Sequence, residues 1–242
     1  MDHDAEDGGS LSRRDLLWRA AGLAALSVGT GAAPWTRSAA AAEPAANRMA
    51  PKEALKILVE GNGRYVRGET KIRDFSVTRA ALAEKQAPHS VILGCSDSRV
   101  APELAFDQGR GDLFIVRVAG NFINTDGLAS IEYAVEFLGS SLVVVLGHSR
   151  CGALDSALKF VKEGAVLPGH LPDLVQQLRP AVDAAQLEAG DQLANAIRAN
   201  VRLTVAKLEA AGPIVAELVA AGKVKVVGGI YDLATGKVDL LA

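Results

Sequence analysis

Three reactive side chains stand at alternate positions in the segment Ser90–Val100, SVILGCSDSRV: the thiol of Cys95, the carboxylate of Asp97 and the guanidinium of Arg99. In an extended segment, side chains at i, i+2 and i+4 point to one side, and the three would meet. A second cluster lies in Leu142–Cys151, LVVVLGHSRC, where His148 and Cys151 are three apart. Cys95 and Cys151 are the only two cysteines of the chain. Two thiolates and one imidazole make a zinc site with its fourth position open, the arrangement of a catalytic rather than a structural zinc. The competing reading is a single structural disulfide with His148 incidental, and it leaves Asp97 and Arg99 unexplained. Taken alone, Asp97 and Arg99 read as an ordinary ion pair at a strand end; beside Cys95 they read as part of a reactive site.

Both clusters follow a strand-plus-glycine signal, so the elements that must position them are strands. Val91, Ile92 and Leu93 form a short buried strand, and Leu142–Leu146 forms another. Two such strands side by side in an open sheet bring Cys95, His148 and Cys151 together at the strand ends, where open α/β sheets place their chemistry. Leu113–Val118 and Val224–Tyr231 read as two more strands. Lys237–Leu241 returns after a turn at Asp232–Gly236 as an antiparallel edge. Between the strands lie amphipathic stretches. One opens at Pro51, with Leu55, Leu58 and Val59 at helical spacing. Another runs over Val77–Lys85 with Ser76 as its cap, and a third from Asp126, as cap, to Leu138. A short turn or helix is expected at Ala101–Glu103. Gly152–Glu163 begins beside Cys151 and stops at Gly164; its N-terminus would favour the Cys151 thiolate. Leu174–Glu188, Asp191–Ala210 and Ile214–Ala221 complete the helices. The alternation predicts an α/β fold: a mostly parallel four-stranded sheet with an antiparallel edge strand, flanked by helices joined through right-handed crossovers.

CSDSR followed about fifty residues later by HSRCG resembles the β-class carbonic anhydrases. FDQGRGDLFIVRVAGN (Phe106–Asn121), the helix NTDGLASIEYAVEFLG and the tail VGGIYDLATGKV (Val227–Val238) extend the likeness over roughly residues 50 to 242. The resemblance implies one zinc per subunit on Cys95, His148 and Cys151, and a catalytic dyad of Asp97 and Arg99. The reaction it implies is reversible hydration of carbon dioxide to bicarbonate and a proton, with a zinc-bound hydroxide oriented by the dyad. Released by Arg99, Asp97 could instead fill the open zinc position and switch the enzyme off, as in part of the family. Gln108, in FDQG, loosely matches a glutamine that hydrogen-bonds substrate. The family also implies a homodimer or dimer of dimers, with N-terminal helices wrapped around the partner; from sequence, the helix at Pro51 could equally pack on its own domain. A related subtype binds bicarbonate at a non-catalytic Trp, Arg and Tyr site. Arg117 and Tyr231 match two of these, but Ile92 stands at the Trp position, so Arg117 reads as structural.

Of the remaining histidines, His89 and His170 could shuttle protons but read as surface residues, and His3 lies in the leader. Hydrophobic residues make up 49% of the chain and charged ones 22%, with a formal net charge of −2. No basic bias points to nucleic acid and no acidic bias to disorder. The N-terminus has the order of an export signal. Arg13-Arg14 precede the apolar run Ala20–Ala33 and a small-residue stretch at Ser38–Ala42. The run is interrupted by Gly22, Gly29, Gly31 and Pro34 and is too weak for a stable membrane span. The expected organisation is a twin-arginine-type signal peptide over residues 1–42, removed after Ala42, and a carbonic anhydrase domain over 43–242 with a helical arm from about residue 50. Export to the periplasm would suit a chain that loads its metal in the cytoplasm, where thiols stay reduced. The alternatives are a disordered N-terminal tail, the same fold hydrolysing another small linear molecule such as CS2, and an exported zinc-binding or disulfide-bridged protein without catalysis.

Overall fold

A computed structural model describes residues 49–164 and 166–241, so the expected signal, its cleavage point after Ala42 and nearly all of the linker lie outside the described residues. The elements in chain order are α1 (Pro51–Val66), α2 (Arg79–Glu84), β1 (Ser90–Gly94), α3 (Pro102–Ala105), β2 (Leu113–Arg117), α4 (Thr125–Glu136), β3 (Leu142–His148), α5 (Gly152–Glu163), α6 (Leu171–Ala185), α7 (Gln192–Glu209), α8 (Ile214–Ala220), β4 (Lys225–Tyr231) and β5 (Val238–Leu241). Among the described residues the strands form one five-stranded sheet, ordered β2-β1-β3-β4-β5. The first four are parallel and β5 runs antiparallel to β4, as the alternation of elements predicts. β1 and β3 are buried along their whole length, which is why both read as continuous apolar runs rather than alternating ones.

The period of two sorts their side chains between the two faces. Val91, Leu93, Val143 and Val145 share one core cluster with Ile131 and Val135 of α4, Val201 and Leu208 of α7 and Val215 of α8. Ile92, Val144 and Leu146 share another with Ala54 and Leu58 of α1, Val100 and Phe106. The connection after β1 leads to β2 on one side while β3 lies on the other. The crevice at the carboxyl ends of β1 and β3 is therefore the switch point at which an open sheet can hold a ligand.

α1 packs on its own domain. Gly61 lies so close to the Phe106 carbonyl that there is no room for a Cβ. The buried Asn62 amide donates to Ala105 O (2.9 Å) and Gly236 O (2.8 Å) and accepts from Val238 N (2.9 Å), tying α1 to the end of α3 and to the β4–β5 turn.

Several helix ends differ from expectation, two of them because neighbouring polar side chains bond nearby backbone N–H groups. Ser76 does not cap α2, which begins after Thr78; its N–H and hydroxyl both go to Asp74 Oδ1 instead (2.8 and 2.6 Å). Asp126 does not cap α4 but sits in its first turn, and Asn124 accepts from Gly127 N (2.9 Å). α6 starts three residues earlier than expected, at Leu171 rather than Leu174, because Pro172 is tolerated in a first turn, where its missing N–H costs nothing; the helix ends at Ala185. Gly164 stops α5 in the left-handed conformation (φ 62°), as its position predicts.

Candidate metal centre

Cys95 follows β1 directly, and His148 is the last residue of the adjacent β3. After Ser149 the chain turns through Arg150, which has a positive φ of 55°, and Cys151 becomes the residue preceding α5. Two neighbouring strand ends and a helix start thus bring Cys95, His148 and Cys151 together, with one ligating atom from each within 4.8 Å of the others. All three residues are buried, and both cysteines are free thiols, so no disulfide joins them.

The hydrogen bonds around the group suit a metal. His148 Nδ1 lies 3.0 Å from Ser149 O, a geometry in which Nδ1 carries the proton. Nε2 is then a lone pair, and it is buried without a hydrogen-bond partner. An orphaned imidazole nitrogen beside two thiols fits a thiophilic divalent cation such as zinc. Gly120 N–H donates to Cys95 Sγ (3.2 Å). The Cys95 thiol is pulled down to about 4, first by its hydrogen bond with Cys151 and further by His148 and the N–H groups of Gly120 and Asp97, against its burial. The same contact and burial push Cys151 up, although the N–H groups of Ala153 and Leu154 at the start of α5 act the other way. Burial draws His148 down, but the neighbouring Cys95 sulfur, the Ser149 carbonyl and the Asp97 carboxylate outweigh it and raise it overall. A bound divalent cation would favour the ionised form of both thiols.

Asp97 and Arg99 meet, but not by strand alternation. β1 ends at Gly94, and a turn closed by Val100 N–H on Asp97 O (3.1 Å) follows. Asp97 Oδ1 accepts from the Arg99 backbone N–H and from Arg99 Nε (both 2.9 Å), and Oδ2 accepts from Nη2 (2.7 Å). This bidentate grip, led by the side-chain hydrogen bonds, holds the Asp97 carboxyl well below the usual carboxylate range. Asp97 Oδ2 lies 3.9 Å from His148 Nε2, so the carboxylate borders the metal group. Arg117 braces the same turn, donating to Cys95 O (2.8 Å) and Asp97 O (2.7 Å).

Other residues singled out by sequence lie elsewhere. The Gln108 amide is committed to Phe106 O (2.6 Å), Asp107 O (3.1 Å) and His89 Nε2 (3.3 Å), and no hydrogen bond joins it to the Cys–His–Cys group. His89 is not the surface residue expected: it is half-buried between Gln108 and Ser90 Oγ. His170 is exposed. Ile92 is fully buried and the Tyr231 hydroxyl pairs with that of Tyr65 (3.1 Å), while Arg117 is occupied by the turn. Sequence reading missed Gly120 and Ser149 as partners of the ligands. Ser149 could have been found from its place inside HSRC; Gly120, 25 residues from Cys95, carries no local signal.

The sequence model described as carbonic anhydrase matches residues 90–238. Carbonic anhydrase 2 of Mycobacterium tuberculosis is 42% identical over 191 residues, covering 78% of this chain and 92% of that protein. The carbonic anhydrase of Pseudomonas aeruginosa is 33% identical over 200 residues, covering 77% and 87% respectively. Among solved structures, a Coccomyxa β-carbonic anhydrase in complex with acetazolamide matches with a TM-score of 0.61 and 29% identity, over 69% of this chain and 78% of that one. A family match over more than half of the chain, together with relatives aligned along nearly their full length, establishes that the chain belongs to the carbonic anhydrase family, in its β class.

Proposed function

We propose that the chain catalyses the reversible hydration of carbon dioxide to bicarbonate and a proton, with one zinc ion per subunit held by Cys95, His148 and Cys151. Family membership supports the reaction. The observation that carries the ligand assignment is the buried, unpartnered His148 Nε2 grouped with two thiols within 4.8 Å. Zinc, when bound, would supply Lewis acidity that activates water toward a small electrophilic carbon. In this reading Asp97 accepts the O–H of the attacking oxygen and orients its lone pair toward the substrate carbon. Arg99 keeps Asp97 ionised and, by engaging both carboxylate oxygens, keeps it from turning onto the three ligands. Cys95 and Cys151 balance the charge of the ion, and Ser149 O fixes the ring of His148. Gln108, whose amide nitrogen bonds Phe106 O and Asp107 O, stays a substrate-binding candidate by resemblance alone. Stopped-flow measurement of carbon dioxide hydration tests the proposal. Activity should rise with zinc content to one ion per chain; zinc-loaded protein no faster than buffer would overturn it.

Two broader proposals go with this one. The catalytic domain over residues 43–242 assembles as a homodimer or a dimer of dimers; support comes from the outer face of α1, where Val59 and Val66 are exposed. A monomer in sedimentation at micromolar concentration would exclude it. The protein is exported to the periplasm by a twin-arginine signal over residues 1–42, read from Arg13-Arg14 and the apolar run that follows. Changing both arginines to lysine should leave active precursor in the cytoplasm, and unchanged delivery would rule the route out.

A further inference from the structure

Cys95 has a neighbour whose placement depends on a distant helix. Gly120 donates its N–H to Cys95 Sγ (3.2 Å). Its carbonyl, on the next peptide, accepts from Nδ2 of Asn200 (2.8 Å), a buried residue of α7 that lies 80 positions along the chain. The other end of that same peptide, the Asn121 N–H, closes a turn on Val118 O (2.9 Å). Both polar groups of the 120–121 peptide are therefore held. Gly120 has a φ of 84°, the conformation of the third residue of a type II turn, which only glycine adopts freely. A Cβ here would also come within 2.9 Å of both Leu178 methyl carbons. The turn thus has one available shape, and Asn200 is the side chain that fastens it from outside.

We propose that Asn200 is a positioning residue for the metal centre, acting through Gly120 to keep an N–H aimed at the Cys95 sulfur. The proposal rests on the reading of Cys95 as a metal ligand. A hydrogen bond donated to a ligating sulfur stabilises the thiolate and sets its orientation, so loosening the turn weakens the ion's hold without removing a ligand. Nothing local in the sequence marks Asn200, because its effect exists only once α7 lies across the ends of the sheet.

The test is zinc affinity of the full chain, measured by competition with a chromophoric chelator, and the thiolate-to-metal charge-transfer band of the cobalt-substituted protein. Four proteins are compared: wild type, Asn200→Leu, Asn200→Ser and Val215→Ala. Val215 is fully buried on α8, outside both the turn and the ligand set, and its truncation opens a core cavity without removing a hydrogen bond from either. Both Asn200 variants should bind zinc about 10-fold more weakly, at the low end of the effect of groups that support a ligand, and should shift the cobalt band. Val215→Ala should lose thermal stability while keeping wild-type affinity and spectrum. Asn200→Ser is shorter and polar, sets no apolar group against the Gly120 carbonyl, and carries the comparison if Asn200→Leu does not fold. Wild-type affinity and spectrum in a folded Asn200 variant would make Asn200 a purely structural residue and overturn the proposal. If wild-type protein given one equivalent of zinc has both thiols alkylated at the zinc-free rate, the metal reading itself fails, and the proposal with it; the two failures are told apart by the behaviour of wild type alone.

Discussion

In the proposed reaction Asp97 carries two demands at once: it must stay ionised beside buried groups, and it must not itself become a ligand. Arg99 meets both with one bidentate contact, because a guanidinium presents two parallel N–H donors where an ammonium presents a point charge. Its side chain is 53% exposed, so the pair works by geometry more than by burial, and little folding stability is expected from it. The consequences of breaking it should therefore appear in turnover. Asp97→Asn preserves shape but loses the charge that Arg99 grips and turns half of the group into a donor. It should retain zinc and lose about 100-fold or more in carbon dioxide hydration. Arg99→Lys should recover only part of the wild-type rate, since the charge remains and the fork does not. Wild-type turnover in Asp97→Asn would reduce the dyad to a surface ion pair.

At the scale of elements, α1 and the segment that follows it are fastened by a second, separate charge cluster. Asp107, fully buried and in the left-handed conformation (φ 47°), accepts from Arg64 Nε (2.6 Å), Arg73 Nη1 (2.5 Å) and Lys71 N (3.1 Å), and its own carbonyl accepts from Arg73 Nη2. Burial alone would raise its carboxyl, but Arg73, Arg64 and the Lys71 N–H outweigh it and hold the group below the ordinary aspartate value. A depressed native pKa gives stability that is complete above the unfolded value, near about 3.9, and is lost as pH falls through the native one. Asp107→Asn should accordingly cost about 2–4 kcal/mol at neutral pH, and the gap from wild type should narrow as the pH is lowered past 4. Urea unfolding at neutral and acid pH measures both; a gap of the same size at each would show that the charge is not what matters. Such long-range ties mark the limit of sequence reading here. Cys95, His148 and Cys151 were legible because each follows a buried apolar run and the period of such runs is local. The Asp97–Arg99 contact was legible as a pair but not as a turn: an aspartate that accepts its own backbone two residues on looks, in sequence, like any residue leaving a strand. Asp74 against Ser76 and Asn124 against Asp126 were ambiguous for the same reason. The partners of Gly120 and Asp107 could not be read at all, since Cys95, Asn200, Arg64 and Arg73 come near them only through the packing of whole elements.

For the molecule as a whole, the centre is a tie between parts of the chain that are far apart in sequence. It joins the end of β1, the end of β3 and the start of α5, at the place where the sheet changes direction. If the three residues hold zinc as proposed, removing the ion should be felt beyond the site. The stripped protein keeps a buried imidazole nitrogen with no partner, at a cost of about 1–3 kcal/mol, beside two buried free thiols. Native-state binding adds stability by mass action, about 4 kcal/mol when free zinc exceeds its dissociation constant a thousandfold. For a domain of this size that amounts to a fall in Tm of roughly 10 °C on stripping. We expect a strong chelator to lower Tm by that order, to expose Cys95 and Cys151 together to alkylation, and zinc to reverse both effects in one step. The coincidence of the two readouts is the decisive feature, because a merely reactive thiol would change alkylation without moving Tm. If chelator leaves both the Tm and the labelling rates of the zinc-loaded protein unchanged, the three residues do not hold an ion that matters to the fold.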